Sequence, residues 1–402
     1  MAARVYVHIG LPKTATTYLQ TILWTNRDAL ERQNVLLPGV KRSDHLWASR
    51  IIREDPAVER ATERRQQTWE RLRADVAQWP GDAIVSHEFF AAASAKQAGR
   101  MVADLAPAEV HLVVTGREPL GLFTASWQES IKNRDTRPLA AYALTESDSS
   151  LAIWNWRTLD IHRVLERWSP TFPRERVHVL PLPGPGAARR KIWDRFAELI
   201  GVDPDSVDLS HGFPNASMGV VEAETLRRVN VHLGSFVSAI DRGTYIRTFL
   251  ADERLVPRGG DPYWPSDERI KEIRQRGRAA VDYIAAQGFH VIGDLESLLV
   301  PDELAPRRRP ESVTDAEVAE VAVELSAQLL HDVRHLRHQR RGLRRELAES
   351  HKRLAESQAR EDPGLRVGLA RKFPVLRHLL VRGGSEASAR EVRHDDEDDG
   401  AP

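Results

Sequence analysis

The sequence contains no cysteine. That removes disulfides, thiolate metal sites and cysteine nucleophiles together, and is compatible with a reducing compartment. Lysine is scarce, supplying eight of the 58 basic residues, so a lysine inside a loop rich in threonine stands out. Neither sign of charge is in excess, with Lys+Arg and Asp+Glu at 58 each. Bulk charge therefore gives no argument for nucleic acid or another polyanion as partner, and any basic site must be local. Long apolar runs are also missing. No window approaches the roughly 20 apolar residues of a membrane-spanning helix, and the apolar stretch before Lys13 is too short for a signal peptide. The expectation is a soluble, cytoplasmic protein.

What is present is enough to bury one full α/β core, with 402 residues of which 41% are apolar. Arg4 to Ile9 is a β-branched run and reads as a strand, broken by Gly10 to Ala15, after which Thr16 onward reads as a helix. A charged helix is expected over Pro56 to Gln78. Further strands are expected at Asp82 to Ser86, Glu109 to Thr115 and Arg176 to Leu182, with helices over Ile192 to Ile200 and Asp267 to Gln287. Alternating strands and helices argue for a parallel sheet with helices on both faces. The globular part is expected to span 1–300, with the Pro- and Arg-rich 301–313 as a linker.

The remainder differs in kind. Over 314–361 the pattern is helical. Leu329, Val333, Leu336, Leu343, Leu347 and Leu354 follow the alternating three-and-four spacing of a coiled-coil seam, broken at Arg340 and Ser350. Residues 329–354 are thus candidates for a homodimer contact. The last part, 362–402, is a basic segment followed by an acidic tail. Within it, 365–382 carries five basic residues and no acidic one, which suggests a weak, peripheral contact with a membrane surface.

The segment that carries chemistry is His8-Ile9-Gly10-Leu11-Pro12-Lys13-Thr14-Ala15-Thr16-Thr17. A loop that leaves a strand and opens a helix aims backbone N–H groups at one point, and the helix dipole adds partial positive charge there. Lys13 adds a full charge, and the Thr16 and Thr17 hydroxyls can donate to phosphate oxygens. The spacing is not that of a Walker A loop, which needs a Gly-Lys-Ser/Thr run, so a Mg²⁺-dependent kinase is disfavoured. Pro12-Lys13-Thr14-Ala15-Thr16-Thr17 resembles the 5′-phosphosulfate loop of the sulfotransferase family, bacterial type, with Ala15 where that family usually has glycine. If the loop needs positive φ there, alanine is strained.

A second segment supports the resemblance. The strand ending at Thr115-Gly116 is followed by Arg117, then by Thr124, Ala125 and Ser126. This is similar to the family's 3′-phosphate site, an Arg at a strand end and a Ser about eight residues on. Here the eighth residue is Ala125, and the flanking Thr124 or Ser126, with Ser126 preferred, would supply the hydroxyl. The strand between the two segments ends at Ser86-His87-Glu88. Sulfuryl transfer needs a base for the acceptor's proton. The resemblance implies that Glu88 or His87 serves, with Glu88 preferred and only one of the two facing the site.

Taken as the resemblance implies, the chain has an α/β, P-loop-containing nucleotide hydrolase-like (sulfotransferase) fold with a parallel sheet flanked by helices and a C-terminal helical extension. It binds 3′-phosphoadenosine 5′-phosphosulfate (PAPS) and releases adenosine 3′,5′-bisphosphate (PAP) without a metal. Pro12, Lys13, Thr14, Ala15, Thr16, Thr17, Arg117, Thr124 and Ser126 would form the donor site, and Lys13 would stabilise the bridging oxygen. The acceptor is a hydroxyl or amine of a small molecule, lipid or glycan. The alternative is a non-catalytic nucleotide-binding domain with a coiled-coil tail. Pro214-Asn215-Ala216-Ser217 reads as a turn that shapes a ligand loop or is only a turn. Trp154 and Trp156 read as core, with ring stacking the alternative.

Overall fold

The computed structural model describes residues 2–184, 186–210 and 217–361, and the chain forms two compact units, 1–322 and 323–402. The first unit is built on one six-stranded sheet. Its strands are β1 (Arg4–His8), β2 (Val35–Leu36), β3 (Asp82–Ser86), β4 (Glu109–Gly116), β5 (Val177–Pro181) and β6 (His290–Val291). Their spatial order is β2-β3-β1-β4-β5-β6, and every pairing is parallel. This is the α/β class expected from the alternation of strands and helices.

The strands are β-branched and nearly continuous in apolar character because both faces of the sheet are covered. Tyr6, Ile84, Val113 and Leu180 lie on one face and pack with Leu19, Ile22 and Leu23 of the helix Thr16–Thr25, and with Ile192, Trp193 and Phe196 of the helix Arg190–Ile200. Side chains alternate along a strand, so Val5, Val7, Ala83, Val85, Leu112, Val114 and Val179 face the other way, and they too are buried.

The topology places a crevice. From β1 the chain goes to one side for β3 and β2, and to the other for β4, β5 and β6. Ligands of open α/β sheets sit outside the carboxyl ends of the strands where the order reverses. That point here is the end of β1, between the ends of β3 and β4.

A line of buried polar groups ties these three ends together. His8 Nδ1 lies 2.8 Å from Ser86 Oγ, and its Nε2 lies 3.2 Å from Thr115 Oγ1. Thr115 Oγ1 is 2.8 Å from Thr14 Oγ1, which donates to the Leu11 carbonyl at 2.6 Å. The single Thr14 hydroxyl proton is thus committed, so Thr115 donates to Thr14 and the neutral His8 Nε2–H donates to Thr115. His8 Nδ1 then accepts from Ser86. The line has one polarity and needs a neutral imidazole.

Two expectations are corrected, and one helix is new. Pro56 to Gln78 is not one helix: a turn at Pro56–Val58, a short helix at Glu63–Gln66 and a helix at Thr68–Gln78 follow each other. Thr62 is extended and starts the second of these, which ends any continuous helix. Residues 301–313 are not a free linker. The Arg308 carbonyl accepts from the Trp264 N–H at 3.0 Å, Arg309 pairs with Asp267, and Pro310 is buried. The helix Arg42–Ile52 was not anticipated. Pro214 to Ala216 and the whole of 362–402, including 365–382, lie outside the described residues. In the second unit the described residues continue the helix Asp315–Glu361. No described helix is long and apolar enough to cross a membrane.

Burial pushes His8 from its ordinary 6.5 down to about 4. Between those values the unfolded chain binds a proton at this position and the folded chain does not. Its contribution to stability is therefore lost as pH falls through that window. Replacing His8 with Gln removes the titrating group. The slope of unfolding free energy against pH, from urea unfolding at several pH values between 6.5 and 4, should become shallower by about 1 kcal/mol per pH unit. An unchanged slope would mean that His8 is not held neutral in the fold.

Candidate functional site

The loop after β1 is bent by backbone conformations that side chains resist. Gly10 has φ +40°, and a Cβ there would meet Thr16 Cγ2 at 2.3 Å, so glycine is required. Lys13 and Ala15 have φ of 68° and 60°, in the left-handed region that costs a non-glycine residue about 1–2 kcal/mol. The strain foreseen for alanine at position 15 is present. Buried Thr14 sits between the two strained residues, and its hydroxyl also accepts the Leu11 N–H at 3.1 Å. The anchor holds the loop in shape, and the strain persists because its surroundings over-determine it.

This conformation leaves a helix N-terminus open. Ala15 is the N-cap of the helix Thr16–Thr25, with no side-chain cap and no acidic residue in the first turn. The first N–H groups of a helix have no intrahelical acceptor. Here they follow Ala15, which is left-handed at φ 60°, and a turn of this kind can cradle an anion.

The loop opens onto a cleft of about 1400 Å³. A single small ligand usually occupies roughly 300–1000 Å³, so the cleft has room for two reactants. Pro12, Lys13, Ala15, Thr16 and Thr17 line it, as do Glu88 from the end of β3 and Arg117 from the end of β4. Three strand ends and both proposed anion sites therefore share one cavity. Thr14 does not reach it. Among the described residues no group of three or more His, Asp or Glu side chains is placed to hold a metal ion.

The hydroxyl preference is corrected. Ser126 is fully buried, with its Oγ 2.5 Å from the Tyr142 hydroxyl. Thr124 and Ala125 line the cleft instead, because the helix Pro119–Lys132 turns position 126 inward. The Thr124 hydroxyl meanwhile donates to the Gly121 carbonyl at 3.1 Å. Arg117 makes no ion pair within hydrogen-bonding reach among the described residues. Neighbouring Glu118 caps the same helix by accepting from the N–H groups of Leu120 and Gly121 at 2.9 and 2.6 Å. Burial pushes the Glu118 carboxyl up despite the Arg117 guanidinium beside it.

At the end of β3 the two neighbours part. Glu88 lines the cleft and His87 does not. His87 is buried, its Nδ1 accepts the Phe89 N–H at 3.1 Å, and burial lowers it to about 4, so it is neutral at physiological pH. Glu88 accepts from Gln20 Nε2 at 3.1 Å, and Gln20 Oε1 accepts from Arg42 at 3.0 Å. Burial alone would raise Glu88, but His87, its own backbone N–H, Gln20 and Arg42 outweigh it and hold the carboxyl below the usual range. The Glu88 carboxyl is therefore ionised and hydrogen-bonded at neutral pH.

The structure adds residues that no motif indicated. Glu129 is buried at the cleft wall and accepts from Lys13 Nζ at 2.5 Å and from Arg247. Burial raises its carboxyl, but Lys13 and Arg247 outweigh that and leave it below the ordinary range. Arg247 stands on a π-helical segment, Arg242–Leu255, which a Lys132–Asp252 pair at 2.5 Å also fastens to the helix Pro119–Lys132. Gln128 exchanges hydrogen bonds with Met218 and so seats Ser217 and Met218 at the cleft. Trp154 lines the cleft, whereas Trp156 is core, stacked 5.5 Å from Phe123. Trp264 lies under the Arg307 guanidinium at 3.8 Å, and both line the cavity.

No protein-family model, no curated protein and no solved structure matches this chain.

The loop conformation makes its own prediction. Ala15→Gly removes about 1–2 kcal/mol of strain and adds about 0.4–1 kcal/mol of unfolded-state entropy. Urea unfolding should show the variant stabilised by about 0.5–1 kcal/mol. A loss of similar size, the usual result of inserting glycine, would contradict the strained conformation.

Proposed function

We propose that this protein is a PAPS-dependent sulfotransferase. The observation that carries the reading is the shared cleft. An uncapped helix N-terminus with Lys13, an arginine, Arg117, that makes no salt bridge among the described residues although Glu118 stands beside it, and an ionised carboxylate at Glu88 meet at three adjacent strand ends. The arrangement suits a donor with phosphates at both ends of an adenosine. The loop amides, Thr16 and Thr17 would hold the 5′-phosphosulfate, and Arg117 with the Thr124 hydroxyl would hold the 3′-phosphate.

In this reading the acceptor oxygen or nitrogen attacks sulfur in line with the bridging oxygen. The bond from sulfur to the acceptor forms, the bond from sulfur to the bridging oxygen breaks, and Glu88 takes the acceptor's proton. PAP leaves with the charge that develops on the former bridging oxygen. Lys13 exchanges its Glu129 contact for that oxygen, so its interaction is greatest as the bond breaks. The residues supply positioning and electrostatics, and the positive charge comes from side chains and backbone. The α/β fold with its parallel sheet agrees with the sulfotransferase fold that the loop resemblance implies.

A second reading, a nucleotide-binding domain without turnover, draws on Ala15, on Ala125 and on the Lys13–Glu129 pair. It shares the donor site and differs only in chemistry.

Calorimetry tests the shared part. PAP should bind in buffer containing a chelator as tightly as with Mg²⁺. Arg117→Ala should weaken it by about tenfold to a hundredfold, the worth of a charged hydrogen-bonded contact. Tighter binding of ATP with Mg²⁺ than of PAP, or indifference to Arg117→Ala, would overturn the proposed donor site.

A further inference from the structure

The helix Asp315–Glu361 carries a stripe that the cleft does not explain. Leu329, Val333, Leu336, Leu343, Leu347 and Leu354 recur at alternating intervals of four and three or seven residues, and each is between 38% and 65% exposed. Arg340 and Ser350 complete the seam at the two remaining positions. The residues that flank the seam are unequal. One edge carries Asp332, Gln339, Glu346 and Arg353, and the other carries Leu330, Arg337, Arg344 and His351. In heptad terms these are the g and e positions, which decide partner and orientation in a coiled coil.

We propose that this stripe is covered by a second copy of the same chain, as a parallel, in-register, two-stranded coiled coil over 329–354. The charge pattern selects this arrangement. In a parallel pair the g residue of one helix meets the e residue five positions later in the other. Asp332 then faces Arg337 of the second copy, Gln339 faces Arg344, and Glu346 faces His351, with no like-charge pair on either edge. An antiparallel pair sets e against e and g against g, so Arg337 meets Arg344 twice along one edge, offset only by Asp332 against Arg353 along the other. Arg340 occupies a single a position, where one polar residue favours two strands in one register at some loss of stability. An anionic membrane fits less well. It would cover the leucines but would meet the acidic edge at Asp332 and Glu346, with Arg340 in the middle of the inserted face. The inference does not rest on sulfuryl transfer.

The absence of cysteine makes the test clean. Ser350 lies in the seam at a d position, so Ser350→Cys places one thiol per full-length chain against its own copy only in the parallel, in-register pair. The wild type should sediment as a dimer, and S350C should convert almost entirely to a disulfide-linked dimer under mild oxidation. Arg337→Asp should weaken self-association by about tenfold through two lost and two repulsive edge contacts. The double change D332R with R337D should restore it, which a merely unfolded helix would not allow. The proposal is overturned if S350C stays monomeric under oxidation, or if it links only to V333C in a mixture, the antiparallel signature. It is equally overturned if the wild type sediments as a monomer and instead floats with vesicles of anionic phospholipid.

Discussion

A single line of hydrogen bonds, from Ser86 through neutral His8 and Thr115 to Thr14 and the Leu11 carbonyl, sets the geometry on which the cleft depends. It joins the ends of β3, β1 and β4, the three strands that meet where the sheet order reverses. It is buried, so each unmade bond would cost the desolvation of a polar group. Its polarity is fixed by one hydroxyl proton on Thr14. The line therefore reaches out of the sheet and into the loop, where it holds Thr14 between two residues in left-handed conformations. Without that anchor nothing in the sequence would keep Lys13 and Ala15 strained, and the helix amides would not converge.

The electrostatics of the cleft follow from carboxylates kept ionised in buried positions. Glu129 is held charged by Lys13 and Arg247, and Glu88 by its hydrogen-bond donors and the Arg42 guanidinium. Each compensates positive charge that would otherwise repel within the wall. Glu129 also gives Lys13 a resting partner that an incoming anion must replace. Glu88 is a carboxylate throughout the physiological range, so it is available to accept a proton without first losing one.

The sheet was legible because buried parallel strands are short, β-branched runs bounded by breakers, and Arg4–His8, Asp82–Ser86, Glu109–Gly116 and Val177–Pro181 all have that form. The placement of Lys13, Glu88 and Arg117 around one cleft was legible too, because residues at strand ends share one edge of a parallel sheet. Side-chain direction within a helix or loop was not. Two residues of helix, about 200° of rotation, send Ser126 to Tyr142 and leave Thr124 in the cleft, and Thr14 turns to the core between two neighbours that do not. Glu129 and Arg247 meet across 118 positions of sequence through a π-helical segment that no local pattern marks. Residues 301–313 have a linker's composition, yet they pack because Arg308 and Arg309 find partners at Trp264 and Asp267.

The central claim is that these three strand ends assemble a donor site beside a working base. It is tested most directly by incubating the protein with PAPS labelled in its sulfuryl group and a cell extract as acceptor source, and by following label into acceptor. The account predicts that the wild type transfers label, that Glu88→Gln slows transfer by roughly a hundredfold or more with PAP affinity nearly unchanged, and that His87→Gln, which alters no residue of the cleft wall, stays far closer to wild type. Equal rates for wild type and Glu88→Gln, or loss of transfer through His87 alone, would contradict it.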